Sequence, residues 1–272
     1  MYKLLLLSLS AGMLGINFFN TDINSTMYYD GREKYDPALQ RLNTIPLLTA
    51  HIDSIAATQH VPINSYEYVH IVVSVIKYRF YHGFSHFTFN QNWIAALSGK
   101  YIEEGLACKV QPADILQHGN AACSQQAIVM MAVLKEKNIA YRKIGFPHHY
   151  ALEVSINNQW SFFDANMEPN MTEQQRLASH WQYKNDNLKQ YYDSDRFTDL
   201  DYKFGVGLLA EKGPINEVPA AHANLFQHIA CWLSKLLWLL PLAVLYYIPS
   251  STFLPKTAIN LFKKNSSPSL AA

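Results

Sequence analysis

Cys123, His149 and Asp164 are the residue types that form a nucleophile, its base and the group that orients the base, and they occur in that order along the chain. Cys123 follows His118-Gly-Asn-Ala-Ala122 and precedes apolar residues at Ile128, Met131, Ala132 and Leu134. That spacing predicts a helix over 124–137 with the cysteine where it begins. A helix N-terminus offers unbonded N–H groups and the positive end of the peptide dipoles. A nearby histidine would complete an ion pair, and both effects favour a thiolate. Ala121 and Ala122 leave the approach to the sulfur open, and Gly119 lets the backbone turn.

After Asn138 the apolar pattern changes period. Residues 141–144, 150–156 and 159–163 read as short strands, with Asn157-Asn158 as a two-residue hairpin loop because both positions accept positive φ. Such a loop pairs Ile156 with Gln159 and, counting back, Ala151 with Asp164. His149 then shares a face with Asp164 and lies diagonal to it, about 7–8 Å away at Cα and within side-chain reach. A three-residue loop would reverse the parity and separate them. His148 points to the other face. Gln117, upstream of the cysteine, could donate its amide to a developing oxyanion together with the Cys123 backbone N–H.

Other readings of the same residues stay open. Cys123, His118 and His149 could ligate a metal, but a zinc site needs a third or fourth ligand in tetrahedral geometry and no compact spacing supplies one. Cys123 could also be a plain buried cysteine. Cys108 reads as structural, although in an oxidising compartment it could pair with Cys123 and block the nucleophile. His82 and His86 have no carboxylate at metal spacing, and Asp193, Asp195, Asp199 and Asp201 lack the glycine and glutamate of a calcium loop, so they read as a solvated face.

Four pieces in order, Gly119-Asn-Ala-Ala-Cys123-Ser-Gln-Gln-Ala127, Asn138-Ile-Ala-Tyr-Arg142-Lys-Ile-Gly145, His149-Tyr-Ala-Leu-Glu153-Val154 and Trp160-Ser-Phe-Phe-Asp164, resemble the transglutaminase-like superfamily. Members carry a cysteine on a helix N-terminus, an arginine-bearing strand ending in glycine, a His-x-x-x-Glu-Val strand, and a tryptophan with a following aspartate. The resemblance covers residues 110–170 and implies a papain-like α+β core with a Cys123–His149–Asp164 triad. Leu152 replaces an aromatic common in the family, and Ala165 stands where proline often follows the aspartate. Neither departure removes an atom of the triad.

Around this core lie elements that must hold it. The 272 residues are 49% hydrophobic and 16% charged, with a formal net charge of +1. So little charge suggests that part of the chain does not face water, and the balance gives no reason to expect a nucleic-acid partner. Three cysteines exclude a disulfide scaffold. Residues 1–20 read as a membrane anchor or signal peptide, 21–105 as a linker and helical region, 106–175 as the core and 176–224 as a helical or loop extension. Residues 225–255 read as a transmembrane helix, and 256–272 as a disordered basic tail. Within the helical region, 44–58, 66–79 and 90–104 have helical period, with Asn64 as a cap and Glu67 reaching back to it. Lys3, Lys256, Lys263 and Lys264 beside the two apolar stretches would put both ends in the cytoplasm and residues 20–224 in the periplasm or cell exterior. The expected molecule is α+β: a papain/transglutaminase-like core with a helical N-terminal part and flanking transmembrane helices. It needs no cofactor or metal and acts on a peptide or protein substrate at a membrane. The alternative is a catalytically silent scaffold of the same fold that binds a peptide.

Overall fold

The computed structural model describes residues 2–24, 33–193 and 199–247. In chain order the helices before the sheet are α1 (Tyr2–Ile16), α2 (Ile45–Thr58), α3 (Tyr66–Arg79), α4 (Phe89–Tyr101), α5 (Pro112–Ile115) and α6 (Cys123–Glu136). Strands β1 (Tyr141–Phe146), β2 (His149–Ile156) and β3 (Gln159–Phe163) follow. Then come short helices α7 (Ala178–Trp181), α8 (Asn185–Lys189) and α9 (Leu200–Phe204), strand β4 (Glu211–Ile215), α10 (Ala221–Leu236) and α11 (Leu239–Tyr247). The sheet is antiparallel throughout, in the order β3-β2-β1-β4. The fold class is therefore α+β.

The hairpin register is the one the asparagine pair dictates. Asn157 and Asn158 have φ of 52° and 64°, and Ile156 pairs with Gln159. Alternation along β2 then divides the sheet. Leu152, Val154 and Ile156 pack against α2, α3 and α6 in one core. Ala151, with Ile144, Phe146 and Phe162, faces the second core under Trp181, Leu188, Tyr192 and Phe204. On that second face Arg142 Nε donates to the fully enclosed Glu153 at 2.6 Å, Tyr183 Oη donates to the same carboxylate at 3.0 Å, and the guanidinium lies 4.3 Å from the Trp160 ring centre. Three residues of the sequence motif thus meet in one cluster across three strands.

Several expectations are corrected. The cap of α3 is Ser65, whose Oγ accepts from the Tyr68 N–H at 3.2 Å, one residue later than Asn64. Helix α4 ends at Tyr101 and has a non-helical residue, Asn92, inside it. Part of the segment read as helix and loop is β4, which pairs with β1. Its solvent-facing residues and central Gly213-Pro214 hide the strand alternation. Among the described residues neither apolar stretch is one continuous helix of spanning length. The bent pair in the second stretch has the length and composition to cross together, and residues 248–255 of that stretch lie outside the described residues. Helix α1 is 15 residues long. The second stretch breaks at Leu237–Trp238 into α10 and α11, bent by 55°. Among the described residues no single helix is long and apolar enough to cross a membrane. The basic tail, residues 256–272, and Asp195 lie outside the described residues.

Candidate active site

Cys123 is the first residue of α6. The N–H groups of a first helical turn have no partner within the helix, so they point at the sulfur's surroundings. Gln125 fixes this end: its Oε1 accepts from the Ala122 N–H at 3.2 Å and the Ser85 N–H at 2.9 Å, and its Nε2 donates to the Ser85 and Lys109 carbonyls. The loop leading to the cysteine is clamped from α3. The buried Arg79 guanidinium donates to the carbonyls of Leu116 at 2.7 Å and His118 at 2.8 Å. Asn120 Nδ2 donates to the carbonyls of Gly83 and Phe84. Gly119 has no unusual dihedral, and a Cβ there would sit 2.9 Å from the Tyr35 hydroxyl, so a larger residue would displace that side chain.

His149 opens β2, and Asp164 immediately follows β3. Both side chains are fully enclosed, and His149 Nε2 lies 2.6 Å from Asp164 Oδ2. The other carboxylate oxygen accepts from the N–H groups of Asn166 at 3.0 Å and Met167 at 2.9 Å. The tautomer therefore follows from the surroundings. An acceptor-only carboxylate holds the proton on Nε2 and leaves Nδ1 as the working nitrogen. Nδ1 makes no hydrogen bond of full geometry, yet the Cys123 thiol is close enough to shift its proton affinity. The imidazole ring is walled by Phe146 and Phe204, with ring centres 6.2 and 5.3 Å away.

Electrostatics favour a charged pair. Burial pushes the Cys123 thiol up, but the nearby His149 imidazole, with the Tyr150 backbone, brings it below its ordinary value. Burial pulls His149 down, and the Asp164 charge and hydrogen bond outweigh it, leaving the imidazole raised. Burial raises Asp164, and the His149 charge together with the backbone N–H donors lowers it further than that.

Three positioning residues were not read from the sequence. Tyr192 Oη donates to Asp164 Oδ2 at 2.9 Å. Glu168 Oε2 accepts from the Asp164 backbone N–H at 3.0 Å. Arg176 lies 2.7 Å from Glu168 and donates to Tyr66 Oη, so it ties this loop to α3. Their separation in sequence from the four motif pieces carries no periodic signal. Gln117 is a correction. It is exposed, and its amide donates to the carbonyls of Asn43 at 3.0 Å and Ala113 at 3.3 Å, so it is not brought to the sulfur. His118 Nε2 is taken by Lys109 Nζ at 2.5 Å. His148 stacks on Tyr202, with ring centres 3.9 Å apart. All three cysteines are free, so Cys108 and Cys123 are not joined.

A cavity of about 290 Å³ flanks the residues next to the reactive pair, Ser124 and Tyr150. Phe84, Ile128 and Met131 give it apolar walls, and Glu217 and Pro219 close one side. Comparison with family models, curated proteins and solved structures returned no match for this chain.

Proposed function

We propose that this protein is a thiol acyl-transfer enzyme with a papain-like, transglutaminase-like core, acting on an amide bond of a peptide or protein. The single observation that carries the reading is the enclosed His149–Asp164 pair beside a cysteine at a helix tip. A buried charge pair of this kind costs desolvation energy, and a merely structural cysteine does not need it.

In the proposed cycle the Cys123 thiolate attacks the amide carbonyl carbon and forms a C–S bond. The helix-tip N–H groups, including that of Cys123, stabilise the oxyanion. The C–N bond then breaks as His149 Nδ1–H gives its proton to the departing amine. In the second half His149 takes a proton from water or an acceptor amine, which attacks the thioester carbonyl. The C–S bond breaks, the acid or new amide leaves, and the thiolate–imidazolium pair is restored. Asp164 keeps the ring oriented and offsets its positive charge throughout. The mostly apolar cavity beside Ser124 and Tyr150, with Lys143 and Glu217 among its lining residues, is where a side chain next to the scissile bond would sit.

The test is adduct formation with a peptidyl vinyl sulfone carrying an apolar residue, followed by intact-mass and peptide mapping. Addition of one inhibitor equivalent at Cys123 of the folded chain supports the proposal. Cys123 that labels only after denaturation overturns it and leaves the peptide-binding scaffold. Incubating an acyl donor with dansylcadaverine then separates transfer, which gives a fluorescent product, from hydrolysis.

A further inference from the structure

Helices α1, α10 and α11 have their polarity inverted. Helix α10 buries Gln227, Ala230 and Ser234 and turns Leu225, Ile229, Trp232, Leu233 and Leu236 outward. Its inward contacts are polar. Gln227 Nε2 donates to the Cys108 carbonyl at 2.6 Å, and Ser234 Oγ donates to Asn92 Oδ1 at 2.9 Å while accepting from the Ile94 N–H. In α1 the buried residue is Ser10, whose Oγ donates to the Trp238 carbonyl at 2.6 Å, while Leu4 and Leu5 are 71% and 70% exposed. In α11 the buried residue is Pro241, and Leu240 is 60% exposed. In water a helix is stable when its apolar stripe is inside and its polar residues are outside. Here small and polar residues make the helix–helix contacts and large apolar ones face out, the arrangement helices adopt in hydrocarbon.

We propose that α1 and the α10–α11 pair insert together into a lipid bilayer as one antiparallel unit whose exposed leucines and aromatics contact acyl chains. The pairing of Asn17 with the Ser234 carbonyl and of Ser10 with the Trp238 carbonyl sets the direction, so Lys3 lies toward the Tyr247 end. Two observations choose lipid over a second protein. At 3.6 residues per turn, the exposed Leu4 and Leu7 lie on one side of α1 and Leu5 and Leu9 on another, together spanning an arc of about 200°, more than one flat partner surface covers. In addition, every Lys, Arg, Asp or Glu in residues 1–21 and 218–272 is a lysine, which complements an anionic bilayer surface. The 15 residues of α1 extend about 22 Å against a hydrocarbon core of about 30 Å, so the unit enters deeply without either helix needing to span alone. This replaces two independent membrane spans with one packed hairpin, and it does not depend on the activity of Cys123.

The experiment is flotation of the full-length chain with phosphatidylcholine–phosphatidylglycerol vesicles, with and without a carbonate wash at high pH. We expect the chain to float and to resist the wash, and its tryptophans to be quenched by brominated acyl chains. The triple variant L4E/L5E/L240E, whose sites are already exposed, should lose at least tenfold in bound fraction while Cys123 labelling persists. Retention in the aqueous fraction, or a vesicle-independent dimer that the same variant dissolves, overturns the proposal. So does binding that the wash releases.

Discussion

Cys108 and Cys123 are the same residue type fifteen positions apart, and their surroundings give them opposite chemistry. Cys108 is buried, its thiol donates to the Glu104 carbonyl at 3.4 Å, and burial, with the charges of Glu104 and Asp22, pushes it up to about 12. Cys123 is half-buried, and burial alone would raise it too. The imidazole of His149 reverses the sign. The lesson is that burial does not inactivate a thiol when a cation is enclosed with it, and that the cation must itself be held in place. Among the described residues Cys108 has no such cation shifting it, whereas Cys123 has one supported by Asp164, Tyr192 and Glu168.

Perturbing each layer of that support should bring Cys123 toward the behaviour of Cys108 by graded amounts. Cys123→Ala should abolish thioester formation, a loss of roughly 10³-fold or more in any turnover, whereas Cys108→Ala should leave vinyl sulfone labelling of Cys123 intact. His149→Ala removes the lowering influence and leaves burial, so the thiol should rise above its ordinary value and alkylation at pH 6 should slow by roughly 10²-fold or more, measured by mass spectrometry of the Cys123 peptide. Tyr192→Phe removes one donor from the Asp164 carboxylate. It should cost about 1 kcal/mol of stability by denaturant unfolding. Gln117→Ala should change the labelling rate by less than about twofold, because an exposed amide away from the sulfur is a surface substitution. A large effect there would restore it as an oxyanion donor.

The pair also links stability to pH. The folded pKa of His149 is raised to about 10, so its contribution is fully present below the unfolded value near 6.5 and lost as pH rises toward the folded value. Asp164 is lowered when folded, so its contribution is present above the unfolded value near 3.9 and lost as pH falls through the folded one. The Tm difference between the native chain and His149→Gln should therefore be largest near pH 5–6 and shrink on both sides.

What the sequence made legible was local. The Asn157-Asn158 loop fixed parity, parity put His149 and Asp164 on one face, and the apolar spacing placed Cys123 at a helix start. Residues acting over long separations were not legible. Arg176 reaches Tyr66 across 110 positions and Tyr192 reaches Asp164 across 28, with no periodicity to announce either contact. Gln117 failed because proximity in sequence to Cys123 says nothing of side-chain direction in a loop. The second apolar stretch failed as a single helix because its average hydropathy is indifferent to the bend after Leu236, where the chain turns onto α1.

The most direct measurement is the pH profile of iodoacetamide alkylation in the folded chain, with Cys108 and Cys123 quantified separately by peptide mass spectrometry. The account predicts that Cys123 still reacts at pH 5–6, on a plateau that His149→Ala removes, while Cys108 stays unlabelled. A Cys123 rate that is negligible at pH 6 and climbs only through pH 8–9, unchanged by His149→Ala, would contradict it.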